Sequence, residues 1–181
     1  FAITAALEAR AKLKADAAIA AVELTTPVMP YINRPEPATG LAGKFSFQYT
    51  VAAALLDGDV TPASFTDERR FAPDMVDMLK RIKVNQDESI QGRFDRMRLK
   101  IEVKPAAGAK VTATCKGPPG IWGNPVDPKR ILRKHEQCLA TFAEGRALET
   151  LTGLLKSPAA LDGRSLLKLM DTLAGAAAEP A

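Results

Sequence analysis

A chain of 181 residues, 46% hydrophobic and 25% charged, can bury roughly two-thirds of its unfolded surface around one core. Its net charge of +4 is too mild for dedicated nucleic-acid binding and leaves a weak field that favours small anions. Two cysteines, Cys115 and Cys138, without CxxC spacing or a histidine in metal register, make neither a disulfide framework nor a zinc site, and no apolar run reaches membrane-spanning length.

Residues 1–18 place Ile3, Leu7 and Ala11 at helical spacing with Glu8, Lys12 and Asp16 on other faces, which predicts an amphipathic helix. A first residue that is Phe, in a stretch already helical and without a preceding cap, is expected of a segment cut from a longer chain. Residues 19–25 change period: Ala20, Val22 and Leu24 alternate with Ala21 and Glu23, as in a strand. Residues 27–40 then carry four prolines and exclude regular structure, and a loop of that length in a compact domain is more often functional than idle.

Residues 44–56 are apolar almost all the way round, so the helix they predict must be buried on every side. Ser46, Gln48 and Tyr49 are the polar tips of this greasy element; a buried tyrosine hydroxyl needs an acceptor, and Ser46 fits an N-cap. Gly58 supplies a left-handed cap, and residues 60–66 read as a loop. Pro73 suits the first turn of a helix running to about Lys80, with Asp74 near its positive end and Met75, Val76 and Leu79 facing the core. Ile82 and Val84 suggest a short strand.

The clearest β signal is residues 94–104, where Met97, Leu99, Ile101 and Val103 alternate with charged neighbours, the period of a sheet with one wet face. Val111, Ala113 and Cys115 supply its partner across a loop with Pro105 and Gly108, which predicts an antiparallel hairpin. Residues 117–125 form a turn-rich stretch holding the single tryptophan, Trp122; it lacks the Gly-Lys-Ser/Thr ending of a phosphate loop, and Trp122 is expected to pack against another domain. Asp127-Pro128 starts a helix whose apolar stripe is Ile131, Leu132, Cys138, Leu139 and Phe142. Leu148, Leu151, Leu154 and Leu155 make another, stopped by Ser157-Pro158; Leu166, Leu167, Met170 and Leu173 make a short last one before a frayed tail at 175–181. The basic rows Arg96, Arg98, Lys100 and Lys129, Arg130, Arg133, Lys134 read as wet faces, since no aromatic residues interleave to stack bases. The one histidine, His135, lies between Lys134 and Glu136 on a predicted helix and reads as a surface residue, not as part of a triad.

Two blocks carry a resemblance. Pro37-Ala38-Thr39, Gly43-Lys44-Phe45-Ser46-Phe47-Gln48-Tyr49, Ala52-Ala53-Ala54-Leu55-Leu56-Asp57-Gly58, Phe65 and Ala72-Pro73-Asp74-Met75-Val76 form the first; Gly117-Pro118-Pro119-Gly120 and Gly123-Asn124-Pro125-Val126-Asp127 form the second. In this order and spacing they resemble the MmgE/PrpD family, which includes 2-methylcitrate dehydratase, cis-aconitate decarboxylase and iminodisuccinate epimerase. Family members are longer, with an all-helical first domain, and the chain resembles their C-terminal lid domain. Residues 1–5 resemble the segment after a family histidine that lies near the active site, and that histidine is not present here.

The resemblance implies an α+β fold, a small antiparallel sheet covered by helices, over residues 1–174, with terminal helices reaching toward a helical domain. It implies a cytoplasmic lyase of the dehydratase kind acting on a small polycarboxylate by proton abstraction and loss of water, with no metal or organic cofactor. The full-length form is expected to be a homodimer, and this segment alone inactive. Tyr49 matches the family tyrosine that faces the active-site cleft and is the expected catalytic group, with Ser46, Gln48 and Lys44 as expected substrate-binding positions. The bland alternative for Tyr49 is a core residue satisfied by a backbone carbonyl, and Lys44 fits a solvated side chain equally well. Epimerase or decarboxylase chemistry in the same family, and a non-catalytic interaction module, are the competing functions.

Overall fold

The computed structural model describes residues 1–121, 123–140, 145–156 and 162–178, in two units, Phe1–Pro125 and Val126–Ala181. In the first unit, α1 (Ala2–Lys12) turns its alanines Ala2, Ala5, Ala6 and Ala9 inward. It is shorter than residues 1–18 predict, because Leu13 adopts an extended conformation that ends the helix. A helix faced with alanine lets its neighbour come close, and that neighbour is α2 (Phe47–Asp57). Every residue of α2 from 47 to 55 is buried, as its all-round apolar character requires.

The ends of α2 are closed by local chemistry. Ser46 caps the start by accepting the Tyr49 amide at 3.0 Å. Gly58, at φ 73°, takes the left-handed conformation that ends it. The Arg10 guanidinium of α1 reaches across to the last-turn carbonyls of Leu55 and Leu56, placing a cation at the negative end of the helix dipole.

The sheet contains β1 (Ile19–Thr26), β2 (Ile82–Gln86), β3 (Leu99–Pro105) and β4 (Val111–Cys115) in the order β2-β1-β3-β4. Val22 lies between Ile82 and Val103, and Leu24 between Val84 and Ile101. These alternate residues form one apolar face, against which α1 and α2 pack. Glu23, Lys100, Thr112 and Thr114 lie on the other face. The hairpin β3–β4 pairs as its alternation predicts, with Ile101 opposite Ala113 and Leu99 opposite Cys115.

The α+β architecture is the one expected, but the sheet is mixed and not purely antiparallel. β1 and β2 run parallel, because the chain between them crosses over through α2 and α4 (Pro73–Lys80) and returns in the same direction. Strand β3 also starts at Leu99 and not at Phe94, since the Met97 amide turns back onto the Arg93 carbonyl and Arg93 pairs with Asp95. The loop read over 60–66 contains a 3-10 turn, Pro62–Phe65, and a short helix not read from the sequence, α3 (Asp67–Phe71), follows it.

Arg69 of α3 pairs at once with Asp57 at 2.8 Å and with Asp74 at 2.9 Å. It thereby ties the end of α2 to the first turn of α4. The hydrogen bond to Asp57 raises the Arg69 pKa, and the bond from Arg69 lowers that of Asp74.

In the second unit α5 (Pro128–Leu139) starts as expected, with Asp127 accepting the Lys129 amide at 2.9 Å and Pro128 in the first turn. It packs on α6 (Gly145–Lys156), where Leu151 is fully buried and Lys156 pairs with Glu136 at 3.3 Å. The last helix, α7 (Gly163–Ala178), spans 16 residues. Trp122, Phe142 and the expected stop at Ser157-Pro158 lie outside the described residues. No helix among the described residues is long and apolar enough to cross a membrane.

Candidate functional site

The four residues singled out from the sequence gather at the start of α2, where the proline-rich loop of residues 27–40 folds back against it. The side chains of Ser46, Gln48, Asp67 and Arg70 hold that loop by its backbone and polar groups. The Ser46 hydroxyl donates to the Arg34 carbonyl at 2.5 Å, and the Gln48 amide to Asn33 Oδ1 at 2.7 Å. Arg70 Nε donates to the Pro37 carbonyl at 2.7 Å, and the Gly40 amide donates to Asp67 at 2.7 Å. Four prolines leave the loop little backbone pairing of its own beyond the 3-10 turn Pro30–Ile32, where the Ile32 amide donates to the Met29 carbonyl at 3.2 Å, so side chains complete its other polar groups.

Tyr49 does not look out of this unit. It is fully buried, and its hydroxyl donates to the Ser64 carbonyl on the Pro62–Phe65 turn. The reason lies in Gly43: a Cβ there would come within 2.5–2.9 Å of three atoms of the Tyr49 ring. Only glycine lets the 3-10 turn Leu41–Phe45 settle on the ring and close over it. Burial raises the phenol's pKa, and the nearby Arg69 and Arg70 cations pull it partly back. The group is thus a protonated donor at neutral pH.

Ser46 is an N-cap and a loop anchor together. Gln48 is similarly committed, and its Oε1 is sealed from solvent with no partner among the described residues. Swapping the amide's O and N, together with that of Asn33, would move the unpaired atom without removing it. Lys44 is exposed, with its ammonium 5.4 Å above the centre of the Phe65 ring. Phe65 also neighbours Tyr49, with ring centres 6.1 Å apart. Lys44, Ser46 and Thr50 also line an open cavity of about 330 Å³ whose remaining wall is largely apolar, including Tyr31, Phe47 and Phe94.

Sequence reasoning did not find Asn33, Arg34, Ser64 or Arg70. The first three enter through a backbone carbonyl or a loop amide, for which residue type carries little signal. Arg70 stands beside Arg69 in one charged run, yet Arg70 is buried while Arg69 lies in the ion-pair cluster. The helical turn that separates their directions is a property of the fold.

Comparison with known proteins bears on what this arrangement does. The chain is 28% identical over 167 residues to a mouse (Mus musculus) cis-aconitate decarboxylase, an alignment covering 83% of this chain and 34% of the relative. It is 26% identical over 146 residues to the human (Homo sapiens) cis-aconitate decarboxylase, covering 81% of this chain and 30% of the relative. The chain thus spans about a third of the length of the curated relatives it matches. Residues 1–153 match the MmgE/PrpD C-terminal domain, a range that includes the Lys44–Tyr49 block and all four strands. The chain belongs to the MmgE/PrpD family, as its C-terminal domain.

Proposed function

We propose that the chain is the C-terminal lid domain of a cofactor-independent lyase acting on a small polycarboxylate. A base of the N-terminal domain takes the proton from the carbon next to a carboxylate, a carbon–carbon double bond forms as the C–O bond breaks, and the hydroxyl departs as water with a proton from Tyr49. The observation that carries this reading is the family match over residues 1–153, which includes the whole Lys44–Tyr49 block. In the intact protein the lid faces an N-terminal helical domain, shuts the cleft and excludes water. The intact protein is a cytoplasmic homodimer on this reading, and the lid alone is inactive.

Tyr49 is the proton donor of this site. Its phenol is protonated at neutral pH, and its acceptor in this structure is a neutral carbonyl. When the turns over Tyr49 admit the substrate, the phenol donates its proton to the departing hydroxyl and leaves the Ser64 carbonyl. Lys44, exposed and beside Phe65, attracts the substrate anion. Ser46 and Gln48 act at one remove, by holding residues 33 and 34 in place.

A second reading, loss of carbon dioxide in place of water, is favoured by the names of both curated relatives. Incubating the intact protein separately with 2-methylcitrate, citrate, cis-aconitate and iminodisuccinate, with products followed by NMR, decides between them. Dehydration of either hydroxylated substrate supports the first reading, and carbon dioxide released from cis-aconitate supports the second. Epimerised iminodisuccinate alone, or no turnover of any of the four, sinks the lyase assignment.

A further inference from the structure

Among the described residues, the buried Arg70 has no carboxylate within ion-pair distance. It is 7% exposed. Its Nε is committed to the Pro37 carbonyl, and its guanidinium carbon lies 5.0 Å from the centre of the Phe71 ring. Neither partner is charged. The neighbouring acids are engaged elsewhere: Asp57 and Asp74 with Arg69, and Asp67 with the Gly40 amide. Among the described residues, the Pro37 carbonyl is the one acceptor the Arg70 side chain has. The two terminal amino groups have no protein acceptor among the described residues and are not fully sealed from solvent.

A guanidinium removed from most of its water and left without an acid is destabilising, and an anion reaching its fork relieves that cost. The bond to Pro37 and the face of Phe71 fix the plane of the fork, while its outer edge is left for a two-point contact. Arg70 also acts electrostatically on the Tyr49 phenol, which puts the open fork and the buried donor in one neighbourhood. We propose that the outer edge of Arg70 binds a carboxylate group of a small polycarboxylate, paired through two parallel hydrogen bonds. That the carboxylate belongs to the substrate rests on the lyase reading; the anion site itself rests on the geometry of Arg70.

The test uses the intact protein and tricarballylate, a tricarboxylate with no hydroxyl or double bond to react. Calorimetric titration and thermal melts are run on the wild type, Arg70→Met and Arg70→Lys. The wild type is expected to bind tricarballylate and to melt higher in its presence. Arg70→Met keeps the volume and loses the charge, so its affinity falls by about tenfold or more while its ligand-free melting temperature holds or rises. Arg70→Lys keeps the charge without the fork; it folds and binds measurably more weakly than the wild type.

No binding by the wild type, or equal affinity in all three proteins, overturns the proposal. A lower melting temperature for Arg70→Met with unchanged affinity also overturns it, leaving Arg70 as a tether for Pro37. Binding lost with Arg70, in a protein that turns over none of the four substrates, removes the lyase reading and leaves the carboxylate site standing. Turnover with affinity and KM untouched by both variants does the reverse.

Discussion

Replacing Tyr49 with Phe removes one oxygen from a fully buried ring and leaves the ring's packing in place. The loss is the hydrogen bond to Ser64, worth about 0.5–1.5 kcal/mol net, and its acceptor is left dry on a buried residue, a penalty of about 1–3 kcal/mol. The two figures overlap, because the unpaired carbonyl is part of what the bond is measured against. A total of about 1–2 kcal/mol is the expected destabilisation. With a urea dependence of about 1–3 kcal/mol per molar, the midpoint falls by roughly 0.3–2 M and the slope stays the same. Far-UV circular dichroism across a urea series measures it, and NMR product assays of the intact variant are read beside it. A midpoint shift below about 0.2 M would refute the claim that the hydroxyl is anchored on Ser64. If stability falls as expected while turnover is retained, Tyr49 is a core residue and its proposed role as proton donor is wrong.

Gly43→Ala puts a methyl group into the Tyr49 ring, and overpacking of this kind costs about 1–3 kcal/mol; a melting temperature equal to that of the wild type would show that the turn over the ring gives way freely. Ser46→Ala removes both a cap and the Arg34 anchor, so a loss of about 1 kcal/mol should be accompanied by faster proteolytic cutting within residues 27–40, and cutting at the wild-type rate would argue against the clamp. Asp74 is held below the ordinary carboxylate range chiefly by Arg69, so its contribution is complete above the unfolded value of about 4 and is lost as pH falls through the depressed folded value. The stability gap between the wild type and Asp74→Asn should therefore be constant from neutral pH to about 5 and shrink below about 4. The Tyr49 phenol runs the other way: its raised pKa stabilises the fold below about 10 and is lost as pH climbs through the folded value, so Tyr49→Phe should remove an ultraviolet titration step above pH 10.

Much of the fold was legible because its signals are local. The alternation of Leu99, Ile101 and Val103 against charged neighbours is a property of four or five consecutive residues, and it survives as the buried and exposed faces of β3. The Asp127-Pro128 start, the Gly58 stop and the all-round burial of α2 are likewise decided within a turn or two. The parallel pairing of β1 and β2 was not legible, since a strand's own residues do not say in which direction its neighbour arrives.

The site divides in the same way. Lys44, Ser46, Gln48 and Tyr49 can be found from the sequence because a polar residue within an apolar helix must be explained, and Ser46 at the helix start already carries its cap. Where Tyr49 points was decided by the turn that Gly43 lays over its ring and by a carbonyl 15 residues further along the chain. Arg69 and Arg70 are the same residue type at consecutive positions. One is neutralised by two aspartates, and the other is buried against a neutral carbonyl and an aromatic face. Local periodicity sets which residues share an element and how its ends close. Only the packing of elements distant in sequence decides which buried polar group finds a partner and which is left open to a ligand, because desolvation and charge pairing depend on every side chain that arrives, from wherever it comes.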